Sequence, residues 1–467
     1  MKTPSHSPLL FLACLFLFSL NTKAQSWEKT FAFNVNGLSK GFDLVETTDG
    51  GFIMCGELDL PTGAPRHYTC AVKADANGDE VWSRFYNYND ISQDEAKALA
   101  PTPDGGFLIA GTAMLNYAQV LKISAAGDSL WRKEYALNGP TKAESIIPNP
   151  NGSGFILAGS KLIFPSTETS FWIAGIDNEG ELLWEQNYPD FTDIGTLGMD
   201  IKATANGNLL IVGVSQGSQV GLLKTNANGE QIWAKKYPLS TADWGIALEE
   251  MTNGEILLGG SSTGFAGTSP FLLHLDADGN EIDQPVIDVV NFGAVSDIEK
   301  TSDGGYILTG SGYSFWNGID TGPGFILKLN TDLEPQWDSV LSNNQTQGTA
   351  IMETADGGFI MSGYNETGML LKRIADMTNS NENVLLENEL AVSVYPNPST
   401  DKITFEFPIE FLTADLSLEL YSQEGRLVRT QMVDDEVLLL EGLAAGTYSY
   451  VVRNRNGEVK TGLVVRM

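Results

Sequence analysis

Residues 104–111, DGGFLIAG, have the pattern of a tight turn followed by an apolar strand. Variants of this stretch recur seven times along the chain, at intervals of 47 to 55 residues. Repetition at a period of this length is typical of solenoids, propellers and other arrays. The turns carry Asp-Gly or Asn-Gly at positions 49–50, 104–105, 151–152, 206–207, 253–254, 303–304 and 356–357.

Each repeat is interpreted as four short strands, which we name a, b, c and d in chain order. Strands a and b flank the Gly-containing turn, strand c often carries a lysine, and strand d often carries a tryptophan. The strand c positions are Lys73, Lys122, Lys224, Lys328 and Lys372, with Gly175 and His274 in the other two repeats. The strand d positions are Trp27, Trp82, Trp131, Trp184, Trp233 and Trp337, with Ile282 in the remaining repeat. We expect these tryptophans to pack one repeat against the next.

A four-stranded unit of about 50 residues does not bury both of its faces alone, and radial packing makes it a propeller blade. The first d strand (26–31) stands alone at one end and the last c strand (369–374) at the other. Pairing the two completes a seventh blade and leaves no free sheet edge. The sequence therefore predicts an all-β chain with a seven-bladed β-propeller over residues 25–375. A β-helix and a two-domain sandwich are the alternatives.

The two ends of the predicted propeller differ in their connections. The short a–b and c–d turns lie on one rim, which we call the turn rim. The b–c and d–a connections lie on the opposite rim, the loop rim, and are longer and irregular. Binding residues collect on variable loops held by a rigid scaffold, so the loop rim is the candidate binding face.

Several aromatic and polar residues of the loop rim are candidates for binding. Aromatic rings beside carboxylates suit sugar rings, by stacking and hydrogen bonding, and ordinary loop packing is the alternative. The candidates are Trp316, Tyr313, Phe315 and Asp320 in the b–c connection of the sixth repeat, Trp244 and Asp243 at the start of an a strand, and His67 in the first b–c connection.

Three aspartates share one position on strand a, six residues before the turn: Asp43, Asp200 and Asp297. Strand a is innermost in a propeller blade, so these carboxylates are predicted to line the central channel. Pairing with the strand c lysines is the alternative. Carboxylate pairs can catalyse glycoside cleavage, but 59 acidic residues make any chosen pair uninformative.

Cysteine and histidine are too scarce for a metal site or a catalytic triad to be expected. After loss of the leader described below, Cys55, Cys70, His67 and His274 remain, and no zinc-ligand spacing is present. Cys55 and Cys70 flank one b–c hairpin, so the sequence allows either a disulfide or two free thiols. Residues 276–281 begin like a calcium loop but lack the spacing of an EF-hand. No cofactor is expected, and the acidic surface is compatible only with weak Ca²⁺ binding.

The charge of the chain excludes one class of ligand. Among 467 residues, 28 are Lys or Arg and 59 are Asp or Glu, which gives a formal charge of −31. Proteins that bind nucleic acids carry basic patches that neutralise phosphates, so no nucleic-acid partner is expected.

The N-terminus has the pattern of an export signal. Residues 9–20 are apolar, and Thr22, Lys23 and Ala24 form a small-x-small cleavage site, so residues 1–24 are interpreted as a signal peptide. The apolar run is shorter than the roughly 20 residues that span a bilayer, and no transmembrane segment is expected. A lipoprotein signal ending at Cys14 is the alternative. Removal of Lys2 and Lys23 would take the charge to −33.

The C-terminal region has a different composition. Residues 376–390 contain neither Gly nor a basic residue and are interpreted as a linker; residues 391–467 alternate polar and apolar with Gly turns, which predicts a small antiparallel β-sandwich. This region resembles the type A C-terminal sorting domain of the type IX secretion system. The resemblance rests on YPNPS, EGRLV and L-x-x-G-x-Y motifs that contain Tyr395, Pro396, Asn397, Pro398, Gly425, Gly446 and Tyr448. The upstream repeats resemble the Asp-Gly-Gly-Phe/Tyr propeller repeats of cargo of this system.

The resemblance implies a route and partners. It implies passage through the periplasm and the type IX translocon of a Gram-negative bacterium, removal of the tail by the C-terminal signal peptidase, and release or attachment at the cell surface. Function is predicted less sharply. We expect a non-enzymatic binding or adhesion protein whose ligand is a glycan or a protein. A carboxylate-dependent carbohydrate-active enzyme and a structural spacer are the alternatives.

Overall fold

The computed structural model describes residues 26–33, 37–60, 66–87, 93–114, 116–135, 139–193, 195–215, 217–264, 267–287, 293–311, 313–314, 319–320, 323–341, 346–375, 393–395, 402–406, 417–421, 427–432, 437–439, 442–444, 446–453 and 459–466. The predicted signal peptide and linker lie outside these ranges. The chain divides into two compact units between Asp376 and Met377, and each is described by itself. The described residues form strands and turns, and none of their elements is a helix that could cross a membrane.

The first unit contains seven four-stranded antiparallel sheets, one for each repeat. The chain begins with β1 (Trp27–Phe31), which belongs to the seventh sheet. Blade 1 contains β2 (Leu38–Glu46), β3 (Phe52–Leu60), β4 (Arg66–Ala74) and β5 (Glu80–Tyr86). Blade 2 contains β6 (Glu95–Pro101), β7 (Phe107–Ala113), β8 (Tyr117–Ile123) and β9 (Ser129–Tyr135). Blade 3 contains β10 (Thr141–Pro148), β11 (Phe155–Leu162), β12 (Thr169–Ile176) and β13 (Leu182–Asp193).

The remaining blades repeat the same order of strands. Blade 4 contains β14 (Leu197–Ala203), β15 (Leu209–Ser215), β16 (Gln219–Thr225) and β17 (Gln231–Tyr237). Blade 5 contains β18 (Ala242–Glu250), β19 (Ile256–Gly264), β20 (Gly267–Leu275) and β21 (Glu281–Asp283). Blade 6 contains β22 (Ala294–Lys300), β23 (Tyr306–Ser311), β26 (Phe325–Leu329) and β27 (Pro335–Val340), with β24 (Tyr313–Ser314) and β25 (Ile319–Asp320) as a small hairpin in its b–c connection. Blade 7 contains β28 (Gln347–Glu353), β29 (Phe359–Asn365), β30 (Gly368–Ile374) and β1.

The two ends of the repeat region close the ring in blade 7. Strand β1 pairs antiparallel with β30, from Trp27 opposite Arg373 to Phe31 opposite Met369. The N-terminal strand therefore supplies the outer strand of the blade whose other three strands come from the end of the repeat region. This pairing confirms the predicted seven-bladed β-propeller.

The turns between strands a and b have a geometry that differs in one detail from a two-residue hairpin. In blade 1, Gly50 N–H donates to Thr47 O (2.8 Å) and Thr47 N–H donates to Gly51 O (2.8 Å), which leaves a three-residue loop. Gly50 has a φ of +77°, whereas Asp49 is absent from the residues with positive φ. A type I turn followed by one left-handed glycine explains this pattern. The carboxylate of Asp49 is then free to accept a hydrogen bond from Lys73 Nζ (2.5 Å) on strand c.

The pairing register corrects two positions of the predicted repeat by one residue each. In blade 7, Arg373 and not Lys372 stands opposite the second residue of strand b, and Arg373 bonds Asp356 in the turn (2.5 Å). In blade 5, Asp283 and not Ile282 stands opposite His274 on strand c. Lys372 and Arg373 are adjacent cations that both suit the strand c position, and strand d of blade 5 has no tryptophan that marks the position. Only the strand register decides in both places.

The strand d tryptophans hold each blade to the next, as predicted. In blades 1 to 4, the tryptophan and the tyrosine four residues after it on strand d contact the c–d turn of the following blade. The pairs are Trp82 and Tyr86, Trp131 and Tyr135, Trp184 and Tyr188, and Trp233 and Tyr237. Each tyrosine hydroxyl donates to the carbonyl of the turn glycine at 2.7–3.0 Å. The ring of each tryptophan covers the same glycine. We call this arrangement the Trp–Tyr clamp.

The cysteines are free, so the disulfide alternative is wrong. Cys55 stands opposite Ala71 and Cys70 stands opposite Gly56, so the two residues occupy adjacent positions of the ladder, where side chains point to opposite faces. Cys55 packs in the cluster between blades 1 and 2, and Cys70 packs in the cluster between blades 1 and 7. Both thiols are buried and unbridged.

The second unit contains two antiparallel sheets, as expected for a small β-sandwich. One sheet consists of β31 (Ser393–Tyr395), β32 (Lys402–Glu406) and β35 (Val437–Leu439). The other consists of β34 (Leu427–Met432), β33 (Ser417–Tyr421), β36 (Gly446–Arg453) and β37 (Val459–Arg466), in that spatial order. Of the predicted sorting residues, Tyr395 lies in β31, Gly446 begins β36, and the buried Tyr448 donates its hydroxyl to Ala444 O (2.8 Å). Pro396, Asn397, Pro398 and Gly425 lie outside the described residues.

The Trp–Tyr clamp predicts a stability difference between two glycine substitutions. Gly105 and Gly180 both have positive φ (+82° and +77°), but an added Cβ meets nothing within 4 Å at Gly105 and lies 2.5 Å from the Trp131 ring at Gly180. We expect Gly105→Ala to cost about 1–2 kcal/mol through the backbone alone. Gly180→Ala should cost roughly 1–3 kcal/mol more, because the ring must move.

Urea unfolding followed by tryptophan fluorescence measures both variants. All nine tryptophans precede residue 376, so the signal reports on the propeller alone. Equal losses in the two variants would show that the tryptophan does not press on this turn.

Candidate functional site: the central channel

The innermost strand of every blade contains the same irregularity. Strand a of each blade has a β-bulge, at which one residue is left out of the pairing with strand b. The seven bulge residues are Phe42, Lys97, Glu144, Met199, Ile246, Ser296 and Thr349. Bulges re-aim side chains and are frequent beside functional sites. Each of the seven stands seven residues before the first residue of its turn.

All seven bulge residues line the central channel, and we call them the bulge ring. The channel encloses a cavity of about 540 Å³. The bulge takes this residue out of the ladder with strand b, and bulges re-aim side chains. Alternation of polar and apolar residues therefore does not reveal these residues. The constant offset from the turn is a sequence signal that does.

The bulge ring carries different chemistry in different sectors. Blades 1 to 3 contribute an aromatic ring, a cation and a carboxylate: Lys97 Nζ lies 4.7 Å from the centre of the Phe42 ring. Burial raises the pKa of the Glu144 carboxyl, although the Lys97 charge opposes the shift. Blades 4 and 5 contribute the apolar Met199 and Ile246. Blades 6 and 7 contribute the hydroxyls of Ser296 and Thr349.

The three predicted channel aspartates do line the channel, directly after the bulge. They do not pair with the strand c lysines. Asp43 accepts hydrogen bonds from its own neighbour, Leu44 N–H (2.7 Å), and from Leu99 N–H in blade 2 (2.6 Å). Asp200 and Asp297 bond blades 5 and 7 in the same way, through Leu248 N–H (3.3 Å) and Ile351 N–H (2.8 Å). Each aspartate thus ties one inner strand to the next.

The channel acids are poorly hydrated, because protein surrounds them even where they face the cavity. Burial raises the pKa of Asp43 to about 7, although the two backbone hydrogen bonds to its carboxylate lower that pKa. Burial also raises the pKa of Asp200, and raises that of Asp297 well above its ordinary range.

Charged side chains of blades 4, 5 and 6 meet two residues after the aspartate position of strand a. Lys202 pairs with Glu299, and its Nζ lies 3.9 Å from Glu249, which also contacts Lys300 (3.2 Å). Burial would lower the pKa of Lys202, but the surrounding carboxylates, Glu299 first, outweigh it and raise that pKa well above its ordinary value. Burial raises the pKa of Glu249 to about 7. The inner strands therefore combine carboxyl groups that titrate near neutral pH with a lysine that stays charged.

The predicted binding residues Trp244 and Asp243 lie at the loop-rim end of β18. Asp243 is fully buried, and its carboxylate accepts hydrogen bonds from Leu239 N–H (2.8 Å), Ser240 N–H (2.8 Å) and Ser262 Oγ (2.6 Å). It therefore fixes the d–a connection of blade 5. Trp244 is half-buried beside it. It stands three residues before the strand a position that holds an aspartate in blades 1, 4 and 6.

The other predicted binding residues are placed only in part. Tyr313 and Asp320 are backbone pairing partners in the β24–β25 hairpin, and Phe315 and Trp316 lie outside the described residues. His67 lies on β4 of blade 1, opposite Asp59 on β3. The structure thus places the described candidates in blades 1, 5 and 6 and does not bring them into one cluster.

The titration of the channel predicts a pH effect on stability. For Glu249, the pKa is about 7 in the folded chain against an ordinary value of 4.5. The folded state therefore holds the proton more tightly, and this group lowers stability as pH rises from about 4.5 to 7. Glu249→Gln removes the titration, so the melting temperature should fall less between pH 5 and pH 8, by roughly 2–4 °C.

Thermal unfolding of the whole chain at the two pH values, followed by tryptophan fluorescence, measures the effect. Glu80→Gln, on the exposed outer strand of blade 1, is the matched control and should keep the wild-type pH dependence. The same pH dependence in Glu249→Gln and wild type would contradict the expected titration.

The comparison with protein families identifies the second unit. Residues 393–466 match the family described as the secretion system C-terminal sorting domain. No curated protein sequence matches the chain.

Solved structures with similar folds share little sequence with the chain. A protein of unknown function from Bacteroides caccae is 14% identical and aligns over 58% of this chain and 90% of its own, with a TM-score of 0.41. The Dos1 propeller is 10% identical over 74% of this chain and 95% of its own (TM-score 0.46). The extracellular domain of the putative hybrid two component system BT3049 from B. thetaiotaomicron is 11% identical; the alignment covers 94% of this chain but 57% of that one (TM-score 0.45).

The chain is therefore a seven-bladed β-propeller followed by a C-terminal sorting domain. This tail implies handling by the type IX secretion system and export to the cell surface or outside the cell.

Proposed function

We propose that this secreted propeller is a binding or adhesion protein that takes the end of a glycan into its channel from the loop rim. The observation that carries the proposal is the bulge ring. One backbone device occurs in all seven blades, yet it presents seven different side chains to a single cavity. A position needed only for packing would favour one residue type, as the strand d tryptophan position does.

The chemistry of the bulge ring supports a sugar. Phe42 offers an aromatic face, and Met199 and Ile246 offer apolar surface. The Ser296 hydroxyl offers a donor and an acceptor, whereas Thr349 Oγ1 already donates to Gly41 O (3.0 Å) and offers an acceptor. Apolar walls with a few placed polar groups are typical of small-ligand sites, and the volume of about 540 Å³ lies within their usual range of roughly 300–1,000 Å³. The Lys97 and Glu144 charges favour a glycan with polar or charged substituents.

A carbohydrate-active enzyme on the same scaffold is the second candidate, and one observation favours it. The pKa of Asp43 is about 7, which suits a general acid at neutral pH, and the side chain lines the cavity. A glycosidase would need a second carboxylate across the scissile bond.

A glycan array tests the binding proposal. The purified chain should bind a defined set of glycans, and Phe42→Ala and Ser296→Ala should each weaken that binding about tenfold, because each removes one ligand contact from the ring. Phe164→Ala is the control. Phe164 is 75% exposed in the b–c connection of blade 3, an aromatic residue on the same rim but away from the cavity.

Loss of binding in Phe164→Ala, with binding retained in the two ring variants, would place the ligand site on the loop rim instead of in the channel. The absence of any bound glycan would support the spacer alternative. Release of reducing sugar from a bound glycan, abolished by Asp43→Asn without loss of binding, would favour the enzyme.

The sorting tail predicts the route of export. We propose that the type IX translocon recognises residues 391–467 and that the C-terminal signal peptidase then removes them in a Gram-negative host. Deleting 391–467 should leave the propeller in the periplasm, and immunoblots of cell fractions and medium measure its location. Surface or medium levels equal to wild type after the deletion would refute this route.

A further inference from the structure

Two carboxylates and an imidazole converge at the loop-rim end of blade 1. Glu57 and Asp59 lie two residues apart on β3, so they share one face of the strand, and His67 on β4 stands directly opposite Asp59. One donor atom from each residue lies within 4.8 Å of the other two. Among the residues that the structure describes, no other three side chains of metal-ligating type converge in this way.

Two atoms of this cluster have no hydrogen-bond partner. Asp59 Oδ1 and His67 Nδ1 lie against each other but outside hydrogen-bonding geometry, and both atoms are closed off from solvent. Buried polar atoms without a partner are rare in folded proteins, and an ion or a water is a common explanation. A metal ion bound to both atoms would replace this direct contact, because two ligand atoms that share one ion stand roughly 3 Å apart.

Lys40 already contacts the same carboxylates, from the other side. Its ammonium lies 2.9 Å from Glu57 Oε1 and 3.4 Å from Asp59 Oδ2. It does not contact Asp59 Oδ1, the oxygen that lies against the imidazole. With a neutral imidazole the four side chains carry a net charge of −1, so the site retains attraction for a divalent cation.

The other histidine of the propeller provides an internal comparison. His274 Nε2 contacts Glu255 (2.9 Å) and Nδ1 contacts Asp283 (3.1 Å). The two nitrogens lie on different sides of the ring, so each carboxylate satisfies one of them and no common point lies between the three groups. In blade 5 the histidine therefore forms two separate ion pairs, whereas in blade 1 the donor atoms of all three residues converge.

The donor set favours a borderline transition-metal ion. Imidazole nitrogen together with carboxylate oxygen suits Zn²⁺ and its neighbours, whereas Ca²⁺ takes oxygen ligands alone. The side chains of Asp59 and His67 are 30% and 27% exposed, which leaves room for water as the fourth ligand. We propose that Glu57, Asp59 and His67 bind one divalent transition-metal ion of the zinc class at the loop rim of blade 1.

This inference differs from the expectation drawn from composition. With two cysteines and two histidines after the leader, the sequence predicts no zinc site. The three ligands come from two strands and carry no recognisable motif, so only the pairing of β3 with β4 reveals them. The site also stands apart from the glycan proposal, because none of its three ligands lines the channel cavity.

Calorimetric titration of the chelator-treated chain with Zn²⁺ tests the proposal. We expect one bound Zn²⁺, an affinity at least about tenfold lower in His67→Ala and in Asp59→Asn, and no change in His274→Ala. Ca²⁺ in excess should not displace the metal. Lys40→Met should raise the affinity, because it removes the cation that shares the carboxylates. Thermal unfolding of each variant establishes that it is folded before titration.

Nuclear magnetic resonance of the imidazole nitrogens gives an independent readout, since only His67 and His274 follow the leader. Zn²⁺ should shift the signals of one histidine, and His67→Ala should abolish that shift. The proposal is overturned if wild type binds no Zn²⁺, if His67→Ala binds as tightly as wild type, if His274→Ala loses as much affinity, or if Lys40→Met leaves the affinity unchanged.

Discussion

The fold depends on the pairing of β1 with β30. A four-stranded blade can bury its faces only against two neighbours, so the ring has no stable end until the first and last blades meet. In this chain, the N-terminal strand crosses to the blade formed by the last repeat, and the register from Trp27 to Phe31 closes it. Every other contact between blades, including the Trp–Tyr clamp and the aspartates of strand a, belongs to the ring that this pairing closes.

Two kinds of bond hold the closed ring together, at different radii. On the outside, aromatic side chains of strand d cover the glycine of the next c–d turn and bond its carbonyl. On the inside, Asp43, Asp200 and Asp297 accept backbone N–H groups of the following strand a. The inner bonds place carboxylates in a poorly hydrated channel, which raises their pKa values. The same residues therefore contribute to both architecture and electrostatics of the cavity.

Within each repeat, the strands form the blade, whereas the bulge residue of strand a is free to differ from blade to blade. Because the bulge residue leaves the ladder, its identity varies from Phe42 to Thr349 without disturbing the strands. A ring of variable side chains on a constant backbone is the arrangement that a binding site requires. The proposed glycan would therefore contact the side chains of the channel as well as those of the loops.

The amino-acid sequence by itself determined the strand types, the number of blades, the closure of blade 7 and the sorting tail, because these follow from local periodicity and motifs. It misplaced Arg373 and Asp283 by one residue, allowed a disulfide that the faces of β3 and β4 forbid, and did not reveal the bulge ring. The tertiary structure decided those points, since a bulge reverses which face a side chain occupies. It also brought together Lys202 and Glu299, which are 97 residues apart, and aligned His67 with Asp59. Such contacts depend on strand register and ring closure, which no local pattern encodes.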